Sequence, residues 1–532
     1  MQERSYAKGA SAVALALVAV LAAACSNDGG SQASTASKAP AQSAAKSAAP
    51  TTEAPIAISI ANQYPPDRDD SPAQKILEQK YNIKITNVRL DATKWMEQLN
   101  LKFAAGEVPD LFLLTDSVEK YAKQGIIGEI PEKLVREKMA DWSKELDKKN
   151  PMILQNAKVD NKLYMIPKFN IEGEVAFPLA YNGAWMQKAG VASAPTTLDE
   201  MEALLTKFRN DDPDGNGKKD TYGMSTSVNG GNVSGSSFAS VFGAFGVFPF
   251  DWNEDKNGNL ALGMTTENAR QAFKVLNKWF KAGLIDPEYI TTDTAKWRNN
   301  FIDGKYGAVE DIWYAFVPNG VYGKAFAAKN VPIVYGKPLS GPNGPGVGYA
   351  WSTVVINNGY AISAQAAKDP KKLNKILEML NGLVTDDDVY LTTWFGVKGE
   401  HWDMVNNFPT QKPDWTDFYK RAKEVGTGSL SLMRNNSFAL LKYYRPAEEM
   451  QFREKVTGGI KPLANKLTFI VPAQTEFPNL TAMQSQYFIK FISGEIDTDA
   501  GFDKFVEQWN NAGGKKLTEQ ANEKYKMLKA AK

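Results

Sequence analysis

The sequence predicts an α/β protein whose body is divided into two or more domains. Residues 56–114 alternate strand-like apolar segments with helical segments through short connections, a pattern typical of a parallel, doubly wound sheet. The body, residues 56–532, is longer than one hydrophobic core usually supports. The 12 Trp, 20 Tyr and 26 Phe of the chain supply enough large apolar side chains for such cores.

The segment before the body has the composition of an export signal. Arg4 and Lys8 precede an uncharged stretch, residues 9–24, and Cys25, the only cysteine of the chain, follows it. A basic start, an apolar run and small residues before a cleavage point predict a signal peptide over residues 1–24. Leu21-Ala22-Ala23-Ala24-Cys25 resembles the lipobox of bacterial lipoproteins. That resemblance implies that Cys25 is acylated, for example with palmitate; the alternative is an ordinary secreted protein.

A polar linker is predicted between Cys25 and the body. Residues 26–55 contain no Leu, Ile, Val or aromatic side chain, so they bury too little apolar surface to offset the entropy of ordering. Residues 25–55 are therefore predicted to form the lipidated cysteine and a disordered tether. The body is expected to stand at the extracytoplasmic face of the cell membrane without entering it.

Five segments at the start of the body carry the fold prediction. Their alternating, apolar or helical patterns predict strand 56–61, helix 72–80, strand 82–88, helix 93–105 and strand 110–114. Ligands of such sheets bind beyond the carboxyl ends of the strands. We therefore expect Tyr64, after the first strand, and Asp116, after the third, to lie near a ligand cleft.

A set of segments resembles one protein family when taken in order. The segments are Trp95 to Leu111, Asp160 to Pro167, Leu179 to Gly190, Pro195 to Glu200 and Phe301 to Val309. They resemble the extracellular solute-binding proteins of bacterial ABC sugar importers, and in particular the large branch that includes calcium-containing alginate-oligosaccharide-binding proteins. The resemblance implies a periplasmic-binding-protein-like fold, with two lobes, hinge crossings and a ligand cleft between them.

The lobe boundaries are predicted from where the chain would leave and return. It is expected to leave the first lobe near Pro167 and to come back near Ala308. This predicts a first lobe of residues 56–170 plus 305–355 and a second lobe of residues 171–304 plus 356–532, which includes the C-terminal helices. Independently of the resemblance, Thr197 and Glu200 have the spacing of a capping box at the start of a helix.

A loop in the middle of the chain has calcium-ligand spacing. Oxygen ligands are available at Asp212, Asp214, Asn216, the backbone carbonyl of Lys218, and Asp220, and Gly217 stands where an EF-hand-type loop turns sharply. Thr221 and Gly223 replace the acids that would close the loop. The sequence predicts a structural Ca²⁺ site here; the alternative is an ordinary polar turn.

The candidate ligand residues are aromatic and polar side chains on loops. Sugars present flat apolar faces and hydroxyl rims, which suit aromatic rings together with carboxylates, amides and Arg. The candidates are Tyr64, Asp116, Trp313, Trp351, Trp394 and Arg434. The alternative for each Trp is core packing.

Composition excludes several other functions. The formal net charge is +2, with 62 basic and 60 acidic residues, and no basic stripe of a nucleic-acid-binding protein is present. His401 is the only histidine, which disfavours a Ser-His-Asp triad or a His-based zinc centre.

The leading interpretation is therefore a binding protein rather than an enzyme. It is expected to be a monomeric, lipid-anchored receptor that captures an oligosaccharide and delivers it to an ABC importer permease. One alternative is a secreted carbohydrate-active enzyme, for which acid-rich spots such as Glu310-Asp311 and Asp386-Asp387-Asp388 would have to supply a carboxylate pair. The others are a lipoprotein that binds peptides or other solutes, and an adhesion lipoprotein.

Overall fold

A computed structural model describes residues 53–149, 152–428 and 440–530. The predicted signal peptide, Cys25, almost all of the tether and Arg434 lie outside these residues. Within the described ranges, no helix combines the length and apolar character needed to cross a membrane.

The described residues form both strands and helices throughout. The strands are β1 (Ile56–Ala61), β2 (Ile83–Val88), β3 (Leu111–Leu114), β4 (Lys158–Val159), β5 (Lys162–Leu163), β6 (Met165–Phe169), β7 (Leu179–Asn182), β8 (Tyr222–Met224), β9 (Val228–Asn229), β10 (Asn232–Val233), β11 (Trp252–Glu254), β12 (Leu260–Leu262), β13 (Tyr306–Glu310), β14 (Ile333–Gly336), β15 (Gly348–Tyr349), β16 (Val354–Ile362), β17 (Trp402–Val405), β18 (Phe408–Gln411) and β19 (Pro462–Leu463). The helices are α1 (Pro72–Tyr81), α2 (Trp95–Ala104), α3 (Val118–Lys123), α4 (Glu132–Lys138), α5 (Ala140–Lys149), α6 (Met152–Gln155), α7 (Gly183–Lys188), α8 (Leu198–Asn210), α9 (Ala239–Ala244), α10 (Glu267–Lys281), α11 (Thr294–Ile302), α12 (Val321–Ala328), α13 (Ala364–Ala367), α14 (Pro370–Thr385), α15 (Asp387–Phe395), α16 (Phe418–Val425), α17 (Ala447–Thr457), α18 (Pro472–Glu476), α19 (Leu480–Ser493), α20 (Thr498–Trp509) and α21 (Lys515–Ala530).

The first lobe is built on a five-stranded sheet in the order β2-β1-β3-β16-β6. β1 pairs in parallel with β2 and β3, as the alternation of strands and helices predicts. β3 is buried along its whole length, because it lies in the centre of the sheet with helices on both faces. β16 instead runs antiparallel to β3 and β6, since the chain re-enters this lobe from the opposite end.

The second lobe has its own sheet and a separate hydrophobic core. Its strands follow the order β14-β7-β13-β8, and only β13 and β8 are parallel. α10 shows why the helices pack here: its apolar residues recur every three or four positions and are buried on one face. The Thr266 hydroxyl caps that helix by accepting from the Ala269 N–H at 3.3 Å.

The predicted lobe boundaries are wrong for the returning segment. Residues 305–355 were expected in the first lobe, but β13 pairs with β7, with Ala308 opposite Tyr181, in the sheet of the second lobe. The return to the first lobe comes later, at β16, and α14 and α15 continue that lobe by packing with α1. The local pattern of a strand does not specify which sheet the strand joins. The return of the chain to the first lobe was therefore predicted too early in the sequence.

Two crossings between the lobes are hydrogen-bonded to each other. The Asn170 N–H donates to the Thr353 carbonyl at 2.8 Å, and the Phe177 N–H donates to the Tyr349 carbonyl at 2.8 Å. An isolated antiparallel bridge joins Ala176 to Ala350 between these bonds. A third passage, residues 442–446, leads from the ion pair of Lys442 with Asp387 of α15 in the first lobe to α17 in the second. Such multiple connections form a hinge about which two lobes close.

The predicted capping box at α8 is only half present. The Thr197 hydroxyl accepts from the Glu200 N–H at 3.2 Å, as expected. The Glu200 carboxylate, however, accepts from the backbone N–H and the hydroxyl of Thr196, at 2.7 and 2.8 Å. The carboxylate therefore binds the residue before the helix cap, Thr196, instead of the backbone N–H of Thr197 that the pattern predicts.

Candidate ligand-binding site

A cluster of aromatic and charged side chains gathers at the hinge. Trp313 follows β13 in a short 3-10 turn, and its indole N–H donates to Glu172 Oε2, on the first crossing, at 2.8 Å. Arg445, on the third passage, stacks its guanidinium 4.6 Å from the ring centre of Tyr314 and 5.3 Å from those of Trp313 and Tyr444. We call these five residues the hinge cluster.

The charged atoms of the hinge cluster keep unused bonding capacity. Glu172 Oε1 lies 3.7 Å from Arg445 Nε, too far for a hydrogen bond, and both atoms are buried without a hydrogen-bond partner among the residues that the structure describes. Glu449 Oε2 lies 3.4 Å from Arg445 Nη1. Buried polar groups normally have partners, and their absence at one place marks a site that a ligand or water can satisfy.

A second aromatic group lies on the first lobe and is more open. Tyr64, beyond the carboxyl end of β1, packs edge-on against Phe418 at 5.2 Å and Tyr419 at 5.9 Å. Trp394, at the end of α15, lies 6.0 Å from the same Phe418 ring. Tyr419 is 62% exposed, and the other three are half-buried. These four residues, here called the open aromatic group, unite Tyr64 and Trp394, which sequence analysis selected separately.

Trp351 stands on the second crossing and is 47% exposed. Its ring packs edge-on against Phe177 of the first crossing, with 5.3 Å between centres. The predicted residue is therefore at the hinge with its ring open to solvent. Trp252, by contrast, is buried in the second lobe, and its ring is tilted against that of Trp509 with 6.2 Å between centres.

Asp116 is already engaged in local structure. It accepts from the Ser117 N–H at 2.7 Å, from Lys120 Nζ at 3.0 Å and from the Tyr121 hydroxyl at 2.9 Å. Burial raises its pKa, but these three hydrogen bonds outweigh that effect and hold the pKa of Asp116 below its usual range. Its neighbour Ser117 lines a cavity of about 250 Å³ that also contacts Lys524 of the second lobe.

The acid-rich spots considered for catalysis are occupied by structural partners. Asp311 forms a bidentate pair with Arg298, at 2.7 and 3.0 Å, and accepts from the Tyr322 hydroxyl. Glu310 accepts from the Ser240 N–H at 2.6 Å. In the other spot, Asp386 pairs with Lys80, and Asp387 pairs with Lys442 and Tyr443.

The predicted calcium loop folds around its first aspartate. Asp212 accepts from the N–H groups of Gly215, Asn216 and Gly217 at 2.9–3.1 Å. These bonds, led by that from Gly217, lower the pKa of Asp212. The Lys218 N–H donates to Asn216 Oδ1 at 2.7 Å.

The remaining acids of the loop converge on one amide. Asn216 Nδ2 donates to Asp214 Oδ2 at 2.8 Å and to Asp220 Oδ1 at 3.2 Å. Burial, followed by the neighbouring Asp212 and Asp220, raises the pKa of Asp214. Among the residues that the structure describes, no three His, Cys, Asp or Glu side chains are arranged to hold a metal. The donor set is nevertheless one of hard oxygens that suits Ca²⁺.

Family similarity agrees with this architecture. Residues 64–387, more than half of the chain, match the family described as bacterial extracellular solute-binding protein. The chain belongs to this family, which confirms the predicted family and the two-lobed α/β fold.

Two curated relatives and two solved structures show the extent of the similarity. The chain is 25% identical over 483 residues to lipoprotein LipO of Bacillus subtilis, covering 87% of this chain and 90% of LipO. It is 25% identical over 498 residues to the polygalacturonan/rhamnogalacturonan-binding protein YtcQ of the same species, covering 89% and 91%.

Both solved structures share the fold at low sequence identity. An EF-hand mutant of the Streptococcus pneumoniae ABC-transporter substrate-binding protein FusA, in complex with fructo-nystose, has a TM-score of 0.64 and 17% identity over 90% of this chain and 100% of FusA. Alginate-binding protein AlgQ2 without calcium ion has a TM-score of 0.60 and 18% identity over 89% and 99%.

Sequence analysis missed the charged half of the hinge cluster. Glu172 and Arg445 are far apart in the chain, so no local motif joins them. A weak signal existed: Arg445 directly follows two tyrosines in a connection between helices, a composition typical of ligand-contacting loops. Phe418 and Tyr419 were missed because they begin an apparently ordinary helix.

Proposed function

We propose that this protein is a lipid-anchored receptor that captures an extracellular oligosaccharide and delivers it to the permease of an ABC importer. Membership of the extracellular solute-binding family supports the receptor class. The names of YtcQ and FusA, a polysaccharide-binding protein and a fructooligosaccharide transporter component, support a carbohydrate ligand. The name of LipO supports lipidation at Cys25.

The observation that carries the proposal is the hinge cluster. A carboxylate, a guanidinium and aromatic faces meet where chain segments cross between the lobes. Arg donates in pairs and carboxylate accepts in pairs, so Glu172 and Arg445 can bond adjacent sugar hydroxyls. Ligand bonding here bridges segments that must move when the lobes close, and it therefore favours the closed state.

We assign distinct roles to the aromatic residues. Trp313, buried and bonded to Glu172, positions that carboxylate, while Tyr314 and Tyr444 flank Arg445. Trp351 and the open aromatic group offer rings on which further sugar units stack. Arg434 is proposed as a ligand contact from its place in the sequence alone, and Asp116 as a residue that shapes the edge of the cleft.

A binding screen with product analysis tests this function. The tether and body together, residues 26–532, are incubated with neutral and acidic oligosaccharides. Melting temperatures are measured, and the sugars are weighed by mass spectrometry. At a hundredfold its Kd, a ligand adds about 2.7 kcal/mol of stability. Intact sugar with a raised Tm is the expected result. Shortened sugar would establish a hydrolase instead, and a response confined to peptides would replace the ligand class.

The membrane anchor is tested separately. The full chain and its Cys25→Ser variant are expressed in a bacterium, and membrane and culture fractions are compared by immunoblot with metabolic palmitate labelling. The wild type should be labelled and membrane-bound, while the variant should be unlabelled. Equal labelling of both would remove the proposed anchor.

We also propose that the loop of residues 212–220 holds a structural Ca²⁺. Asp214 and Asp220 already share one neutral hydrogen-bond donor, the side-chain amide of Asn216, and a cation would relieve their mutual repulsion. Chelator should lower the Tm of the wild type, and added Ca²⁺ should restore it. An Asp214→Asn/Asp220→Asn variant should show no response to chelator. A wild-type Tm that is unchanged in excess chelator would contradict the proposal.

A further inference from the structure

A groove between the lobes extends from the hinge cluster toward solvent. Its volume is about 420 Å³. One wall is the hairpin of β17 and β18, which continues from α15 of the first lobe, and the other wall is α17 with the turn at Asn319 in the second lobe. Glu449, which lies 3.4 Å from Arg445, and Pro446, the residue that follows Arg445, line the groove, so the groove adjoins the hinge cluster.

The tip of the hairpin has a defined shape. Asn406 and Asn407 both adopt positive φ, 50° and 59°, as a two-residue turn of type I′ requires. Val405, just before them, is 50% exposed and lines the groove with Phe408. The turn therefore holds an amide and two apolar side chains along one wall.

The opposite wall combines an aromatic ring with carboxylates. Phe452 of α17 is fixed by an edge-on contact with Tyr335, 5.8 Å between centres. Glu448, which is exposed, and Glu449 line the same wall. Among the described residues that line the groove, none is Lys, Arg or His.

The charge balance of the groove discriminates between sugar types. Glu448 and Glu449 oppose the guanidinium of Arg445, which already faces Glu172. A uronic acid unit would add another negative charge to this setting, and like charges held close together are costly. Asn319 and Asn406 can instead donate to and accept from neutral hydroxyls.

We infer that this groove is an outer subsite that binds a neutral sugar unit of a longer oligosaccharide and selects against uronic acids. The inference rests on the proposed function, since it specifies which oligosaccharides the hinge cluster receives. It also distinguishes this chain from a relative named for binding polygalacturonan.

Calorimetry with matched ligands tests the subsite. The probes are fructo-, galacto- and manno-oligosaccharides of two to five units, together with oligogalacturonates in free and methyl-esterified form. These two forms differ in the charge of each unit and by one methyl group. The affinity for neutral oligosaccharides should rise at least tenfold when their length increases from two to four sugar units. The free acid should bind at least tenfold more weakly than its methyl ester.

A charge-reversal pair separates the groove from general electrostatics. Glu448→Lys should reduce the preference for neutral ligands about tenfold without changing the Tm, because the side chain is exposed. Glu454→Lys makes the same charge change elsewhere on α17 and should leave the preference intact. Equal effects of the two variants, or equal binding of acid and ester by the wild type, would overturn the subsite. Absence of all sugar binding would instead refute the proposed function, and the subsite with it.

Discussion

The hinge cluster and the open aromatic group contain similar residues in different physical settings. Trp313 is 1% exposed, and its N–H is committed to a carboxylate, whereas Trp394 is half-buried and surrounded by other rings. The first setting fixes charged groups at the junction of the lobes, and the second leaves apolar faces accessible. A tryptophan's contribution therefore depends on its polar partners and burial, and we expect the two regions to respond differently to the same change.

The largest expected effect is on stability at Trp313. Trp313→Ala should lower the free energy of unfolding by about 3–5 kcal/mol, because it leaves a cavity and an unpaired Glu172 oxygen. Trp394→Ala should lower the free energy of unfolding by clearly less, because the Trp394 ring is already partly exposed to solvent. Urea denaturation of both variants measures this difference. Equal losses would show that the two settings are not distinct.

A buried carboxyl beneath the hinge should give a pH-dependent effect of similar size. Burial raises the pKa of Asp251 to about 7, and its Oδ2 has no hydrogen-bond partner in the described part of the chain. The pKa of Asp251 is higher in the folded state than in the unfolded state. Its contribution to the free energy of unfolding is therefore fully present below about pH 4 and is lost as the pH rises through about 7. The loss should reach about 4 kcal/mol, because a pKa change of one unit corresponds to about 1.4 kcal/mol. Asp251→Asn should remove this component, as pH-dependent melts of both proteins can measure; parallel curves would contradict it.

Ligand affinity should depend most strongly on the charged half of the hinge cluster. Arg445→Met leaves Glu172 without its facing cation and should weaken sugar binding about thirtyfold, equivalent to about 2 kcal/mol. Arg453→Met, on α17, which begins two residues after Arg445, serves as the matched control. Calorimetry with the sugar found in the screen measures both. An unchanged Kd for the Arg445 variant would place the ligand away from the hinge.

The smallest expected effect is at the open aromatic group. Trp394→Ala should weaken binding of a long oligosaccharide by about 1 kcal/mol, the usual contribution of one stacked aromatic contact. Trp394→Phe keeps a ring and should retain most of the affinity. Binding of a disaccharide should be unaffected if the group contacts only distal units. A larger loss than that of the Arg445 variant would reverse the ranking of the two regions.

Local patterns predicted the local structure of the first lobe well. β1, β2 and β3 form the expected parallel arrangement because alternation and apolar runs are properties of short segments. The segment 305–355 was placed in the wrong lobe because strand pairing is non-local: β13 joins β7 rather than the first sheet. The resemblance to a family gave the two-lobed fold but not the partner of each strand.

The candidate site was predicted only in part for the same reason. Tyr64 and Trp394 were chosen separately, and the structure brings them to a common neighbour, Phe418. Trp313 was expected to offer its face to a ligand, whereas its burial and its bond to Glu172 suit it to positioning. Glu172 and Arg445 meet only when three separate passages of the chain converge, which no window of sequence records.

The position of β16 has a consequence for how the chain folds as it is exported. β16 lies between β3 and β6, so the sheet of the first lobe is incomplete until Ile362 has emerged. By then every strand of the second sheet, through β14, has already emerged. The sheet whose first strand emerges first is therefore completed after the sheet of the second lobe. A chain truncated before β16 would expose the edges of two unpaired strands, which makes such fragments prone to aggregation and proteolysis.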